Sequence, residues 1–322
     1  MTAPRAIPCV LVVASLALTG CTAETVQPPR GESSAGGVIG GDGSGVTAPP
    51  TPTGLDPVGY RRELEAAVGP VRDSLESLAD AKTRKTLRKR LDGASDALRD
   101  AGGRLQALTP PAGTEAAHIA YVTQLAALSS GLDTVELSVG AGSVCTASSV
   151  MTALGEAGDI KDLDRAGEDL ARLGDYPADA VTVKIPGRQS RRWSNGRFLR
   201  SESRTGRGSL KIDNGSSYDA VVTVIRGKKK AFSVYVRKKK KFTVSGVRDG
   251  KYKIYFTQGQ DWQSKARAFG RMCSFQLFGS SLRFKTRYTS THVRWNNWTI
   301  TLHGVRGGTI RTKNVDPDDF PD

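Results

Sequence analysis

The chain has 322 residues, enough for two ordinary domains, with 47 lysines and arginines against 32 acidic side chains, a formal charge of +15. The charge is divided: residues 57–176 hold 14 basic and 18 acidic side chains (−4), whereas residues 177–322 hold 31 and 10 (+21). This assigns any anionic partner to the C-terminal part. No apolar stretch reaches the about 20 residues of a membrane-spanning helix, and no Cys/His cluster has structural metal spacing.

At the N-terminus, Arg5 precedes an apolar run from Ile7 to Ala17, broken only by Pro8 and Ser15. Such a run reads as a processed signal rather than as folded structure. The residues that close it, Leu18-Thr19-Gly20-Cys21, resemble the lipobox of bacterial lipoproteins. That resemblance implies removal of a signal peptide, residues 1–20, and a diacylglyceryl group on Cys21. It places the chain on the extracytoplasmic face of a bacterial cell membrane, lipid-anchored, since two acyl chains hold firmly where one does not. Cys9 falls in the discarded segment. Residues 21–55 follow as the lipidated cysteine and a flexible linker. Residues 22–54 are rich in Gly, Pro, Ser and Thr, a tether that reaches on the order of 100 Å when stretched.

Residues 56–174 read as helical. Leu64, Val68, Val71, Leu75 and Leu78 lie at alternating spacings of four and three. The same spacing recurs in Leu87, Leu91, Ala94, Leu98, Ala101, Leu105 and Leu108, and again from Ala117 through Tyr121, Leu125, Leu128, Leu132, Val135 and Val139. Each series puts one apolar stripe on a helix. A phase slip at Asp80–Thr83 marks a turn, and Thr109-Pro110-Pro111 stops the second helix. Shorter helices are expected near 144–154 and 159–173. Similar lengths and short connections predict an antiparallel helical bundle.

Residues 175–207 form a basic linker crowded with arginines, including Arg191 and Arg192, and little order is expected there. From Ser209 the period changes to two. Eight alternating segments lie near 210–212, 220–224, 232–236, 242–244, 252–256, 273–277, 282–284 and 298–302. Turn signals such as Asn214-Gly215, Arg226-Gly227 and Asp249-Gly250 separate several of them, so residues 208–314 predict an antiparallel Ig-like β-sandwich. The run Phe242 to Phe256, with Gly250-Lys251-Tyr252 at its centre, resembles the core of carboxypeptidase-regulatory-like and transthyretin-type domains, with Arg248-Asp249 where those have a proline. That resemblance implies an accessory module without chemistry of its own. An acidic tail, 315–322, is expected to fray. The fold class is therefore multidomain α plus β: a helical bundle, then a sandwich, joined by disordered linkers.

The strongest candidate site is electrostatic. Lys228, Lys229 and Lys230 flank one end of the strand 231–236, and Arg237, Lys238, Lys239, Lys240 and Lys241 the other. Consecutive turns of a meander lie at opposite ends, so the two runs make a broad basic surface with Arg191 and Arg192 rather than one pocket. Polyanion binding stands beside a plainer account, solubility and protection of sheet edges. Phe232, Phe242 and Tyr252 have core parity; Tyr235 and Tyr255 have the parity of an exposed face. Trp262 and Trp295 are read as capping the open end of the sandwich. His118 falls on the third helical stripe as a partly buried residue. The basic stretch Lys82–Arg90 reads as helix-surface ion pairing with Asp80, Asp92 and Asp96, and no exposed apolar stripe on the helices is evident. Cys145 and Cys273 either pair, stapling the two halves, or are separately buried small hydrophobes; the second is preferred, since connectivity is not readable from sequence.

No catalytic motif is present, so no catalytic residue, cofactor or metal is expected. The expectation is a non-enzymatic, lipid-anchored binding protein whose basic half meets anionic cell-wall polymer or lipid headgroups. No nucleic acid partner is expected outside the cytoplasm. The alternative is an accessory subunit that meets an envelope protein through its helices.

Overall fold

A computed structural model describes residues 54–303 and 311–321. The lipobox and Cys21 lie outside them. The chain is mixed α plus β, and its helices and sheets belong to one compact unit, Thr51–Asp322.

Helix α1 (Pro57–Ala79) starts where the Asp56 carboxylate accepts from the N–H groups of Val58 and Gly59, with Pro57 in the first turn. Its interior Pro70 cannot bond the carbonyl of Ala66. Arg104, from helix α2 (Arg84–Gln106), donates to that carbonyl at 3.2 Å. Thr83 and Thr86 form a reciprocal cap at the start of α2, at the turn marked by the phase slip. Helix α3 (Glu115–Gly140) runs back along α2, and α4 (Ala147–Ala157) and α5 (Asp159–Ala171) follow. Gly158 joins the last two at φ 100°, a left-handed conformation that suits glycine. The apolar stripes meet in one core that includes Leu64, Leu75, Leu91, Leu98, Leu125 and Leu163.

Twelve strands lie among the described residues: β1 (Phe198–Ser201), β2 (Gly208–Asn214), β3 (Asp219–Arg226), β4 (Lys229–Val236), β5 (Lys240–Val247), β6 (Gly250–Gln263), β7 (Ala268–Phe278), β8 (Leu282–Phe284), β9 (Thr286–Tyr288), β10 (Val293–Trp295), β11 (Trp298–Thr301) and β12 (Thr312–Asn314). The larger sheet has the order β1-β4-β3-β6-β7-β12, with β8 also on β6. A second sheet has the order β11-β2-β5, and β9–β10 is a separate ribbon. The two sheets share one core, to which Leu210, Ile212 and Val244 contribute from one side and Val222, Val234, Ile254 and Phe256 from the other. All eight segments of period two are strands; β1, β9, β10 and β12 are additional. Among the described residues pairing is antiparallel except that β11 runs parallel to β2, which corrects the wholly antiparallel expectation.

Three expectations fail because partners distant in sequence supply order that composition does not announce. The stretch 175–207 is packed. Tyr176, Ala178 and Ala180 are buried in the helical core. Further on, Trp193 stands edge-on to Trp262 at 5.8 Å, Arg197 lies 3.9 Å over the Trp193 ring, and β1 pairs with β4. The acidic tail is also held. Directly after β12, which pairs with β7, the Val315 N–H donates to the Phe275 carbonyl at 3.0 Å, and the Asp318 carboxylate accepts from the N–H of Lys85 at 3.2 Å. That places a negative charge at the positive N-terminal end of α2, whose own first turn has none. Phe320 is buried edge-on to Phe275 and Tyr255.

Third, Cys145 and Cys273 form a disulfide, 128 residues apart, against the preference for separate burial. The backbones meet there too. Cys145 N–H donates to Gly270 at 2.9 Å and Cys273 N–H to Gly142 at 2.8 Å. Gly142, at φ 75°, allows this approach, since a Cβ there would stand 2.7 Å from the Cys273 carbonyl oxygen.

Candidate functional site

β4 is eight residues long, so the lysine runs at its two ends are separated by roughly 25 Å. At the β3–β4 turn, Lys228 and Lys229 are exposed and Lys230 is half-buried. At the β4–β5 turn, Lys238, Lys239, Lys240 and Lys241 are exposed. Three of that run have local partners. Arg237 donates to the Trp193 carbonyl at 2.7 Å, Lys239 to the Gly215 carbonyl at 2.6 Å, and Lys241 pairs with Asp213 at 3.0 Å. Among the described residues the ammonium groups of Lys228, Lys229, Lys238 and Lys240 have no carboxylate partner.

Arg191 and Arg192 do a different job from the one their composition suggests. Each is a fork on a buried carboxylate. Arg191 Nε and Nη2 donate to Asp261 at 2.8 and 2.7 Å, and Arg192 Nε and Nη2 donate to Asp219 at 2.6 Å each. Asp219 also accepts from the Tyr235 hydroxyl and, at 2.8 Å, from the N–H of Lys238. Burial acts to raise the pKa of both aspartates. The donors from Arg192, Tyr235 and Lys238 outweigh it at Asp219, and those from Arg191 and Gln263 at Asp261, so both lie below the ordinary carboxylate value. Arg192 and the two carboxylates, Asp219 and Asp261, line a cleft of about 230 Å³ with Ser217, Tyr218 and Gln260. With their oxygens engaged and ionised, neither carboxylate is poised as a general acid. The two arginines are locking groups, which removes them from the free cationic surface.

The lock explains Tyr235, whose parity suggested exposure. With Val221, Trp262 and Phe269 it forms a small core on the outer face of the larger sheet, with Trp193 and Leu199 packed against it. Burial and the Asp219 carboxylate push its phenol pKa up. Tyr255 is half-buried against Phe320. Trp262 belongs to this outer core rather than to an open end, and Trp295 is 47 % exposed and belongs to none of the cores among the described residues.

Trp295 lies on the β9–β10 ribbon, which the sequence reading missed. Tyr288 pairs with Val293 and Thr286 with Trp295 on one face; Arg287 lies directly opposite Arg294 on the other. Facing like charges disfavour the pairing, yet neither arginine has a carboxylate partner among the described residues. Arg207 stands 5.9 Å from the Trp295 ring, and the nearby Asp249 is engaged by Thr286. The Thr-Arg-Tyr and Val-Arg-Trp triplets either side of Thr289-Ser290-Thr291-His292 were the available signal.

On the helices, Arg84 donates to the Val139 carbonyl and Arg90 to that of Ser77, so this stretch caps the C-terminal ends of α3 and α1 rather than pairing with the flanking aspartates. His118 is buried. Its Nε2 lies 3.1 Å from the Leu105 carbonyl and its Nδ1 2.8 Å from the Tyr60 hydroxyl. A carbonyl only accepts, so Nε2 carries the proton and Nδ1 accepts from Tyr60. Burial lowers its pKa. The outer face of α3 departs from expectation: Ile119 is 63 % and Leu137 77 % exposed, with Ala120, Ala126 and Ser130 exposed between them and Ala116 exposed one turn before.

Among the described residues no group of three or more His, Cys, Asp or Glu side chains is placed to hold a metal ion, and no helix is long and apolar enough to cross a membrane. Compared with known proteins, the chain matches no family model, no curated protein and no solved structure.

Proposed function

We propose that this is a non-enzymatic, lipid-anchored binding protein of the bacterial envelope, whose strand half associates with anionic wall polymers. In this reading the helices form an antiparallel bundle and the strands an Ig-like or transthyretin-like sandwich. The lipid on Cys21 holds the chain outside the cytoplasmic membrane. The observation that carries the reading is that the charge excess stays uncompensated after folding. The exposed side chains of Lys228, Lys229, Lys238, Lys240, Arg287 and Arg294 lack carboxylate partners among the described residues, while Arg191 and Arg192 are consumed internally. Solubility does not need a surplus of this size.

The test is cosedimentation of residues 22–322, which retain the whole compact unit, with cell-wall sacculi across a salt series. Binding should require the anionic polymers of the sacculi and fall steeply with salt, as counterion release dictates. Equal binding to polymer-stripped sacculi, or none at low salt, refutes the proposal.

A second reading, an accessory subunit that meets an envelope protein through its helices, is favoured by the exposed face of α3. No charged residue lies between Glu115 and Asp133, although much of that stretch faces solvent. Ile119→Lys with Leu137→Lys would then abolish cross-linking to the partner in cells and leave wall binding unchanged.

A further inference from the structure

On the outer face of the larger sheet, neighbouring strands bring three hydroxyls together. Thr223 on β3 pairs with Ser233 on β4, and Val221, two residues from Thr223 on the same face, pairs with Thr257 on β6. Thr223 and Ser233 bond to each other at 3.0 Å. The Oγ1 of Thr257 and the Nε1 of Trp262 are buried and have no hydrogen-bond partner among the described residues, and their residues are 4 % and 2 % exposed. All four side chains line one cavity of about 80 Å³, whose wall also includes Arg200 and Arg267.

The volume equals that of about two or three waters, the size of a single oxyanion group. Its chemistry is one-sided. An indole N–H and a guanidinium only donate, whereas hydroxyls turn to suit an acceptor. No acidic side chain is among the described residues lining the cavity, and neither arginine has an ion-pair partner among them. Buried donors without acceptors are costly, and a tetrahedral oxyanion supplies acceptors while matching guanidinium forks.

We propose that this cavity binds a phosphate group, with the Trp262 indole N–H and the Thr257 hydroxyl as its inner donors and Arg200 and Arg267 as its outer cations. The inference deepens the wall-binding reading and rests on it for the source of the group: a phosphate borne by the polymer rather than free phosphate.

The test follows the four tryptophan indole N–H resonances of residues 22–322 as inorganic phosphate is added at constant ionic strength, with chloride as the control. Phosphate should shift the Trp262 resonance saturably. Arg200→Gln with Arg267→Gln should weaken binding by roughly tenfold or more, and Thr257→Val should weaken it with little change of volume. Both arginines are exposed, so melting temperature serves as the folding control. A Trp262 resonance unmoved by phosphate, or moved equally in the arginine double variant, overturns the site and leaves ordered water as the occupant. Sacculi then identify the source. If the double variant loses polymer-dependent sedimentation, the group is polymer-borne. If it binds phosphate weakly but sediments normally, free phosphate is the ligand and wall binding rests on other cations. Phosphate binding without any sedimentation of the parent chain refutes the wall reading and keeps the site.

Discussion

At the scale of single residues, the buried polar groups are answered from far away in sequence. Asp219→Asn leaves the Arg192 fork, the Tyr235 hydroxyl and the Lys238 N–H facing a neutral amide. Because Arg192 is partly exposed, the loss should stay near about 2–3 kcal/mol, read as a shifted urea midpoint with unchanged slope; a loss under about 0.5 kcal/mol would show that the lock is incidental. Acid tests the same groups. Asp219 and Asp261 titrate lower in the folded than in the unfolded chain. Their contribution is therefore complete above the unfolded value near about 4 and is lost as pH falls through the folded values. His118 acts in a higher window. Its folded pKa is depressed, so the unfolded chain takes up a proton first, and stability falls as pH drops below about 6.5. His118→Gln should flatten that limb between pH 6.5 and the folded value while lowering stability at pH 8. The stripe position of His118 was legible in the sequence; its tautomer was not, because Leu105 and Tyr60 meet it only in the folded core.

At the scale of elements, the periodicities located five helices and eight strands, and they failed where an element lacks its own pattern. β1 and β12 are edge strands whose side chains need not alternate, and β9–β10 is a ribbon exposed on both faces. Arginines that look solvated in composition, Arg191 and Arg192, organise the stretch leading to β1. The ribbon supports a test in which stability and binding move in opposite directions. Arg287→Glu replaces facing like charges by an opposite pair with Arg294, which should stabilise the ribbon by a few tenths up to about 1 kcal/mol. The same change removes cationic charge from the surface, so the salt slope of wall binding should become shallower by about 1–2 units. A variant that stabilises without touching the slope would exclude the ribbon from the binding surface.

For the whole molecule, the decisive feature is that the helices and sheets are stapled. The Cys145–Cys273 link closes a loop of 128 residues, worth about 4–5 kcal/mol in the chain-entropy picture. Cys145→Ala with Cys273→Ala should lower the unfolding free energy by about that amount. It should also separate a single transition into two, because only non-covalent contacts would then join the halves, such as the backbone bonds at Gly142 and Gly270, the Ser149–Gln263 contact at 3.1 Å and the Lys85–Asp318 bond. A midpoint unchanged by the double substitution would mean that these contacts hold the halves without the link.

The sequence alone determined the five helices and the eight strands that carry a core face, because hydrophobic periodicity is a local property. It also placed the surplus of positive charge, which is a matter of counting. Only the tertiary structure decided which cations are free, which cysteines meet, and which face of the sheet is covered. Those outcomes depend on pairs such as Arg192 with Asp219 or Lys85 with Asp318, which sequence distance conceals and packing brings within hydrogen-bond reach.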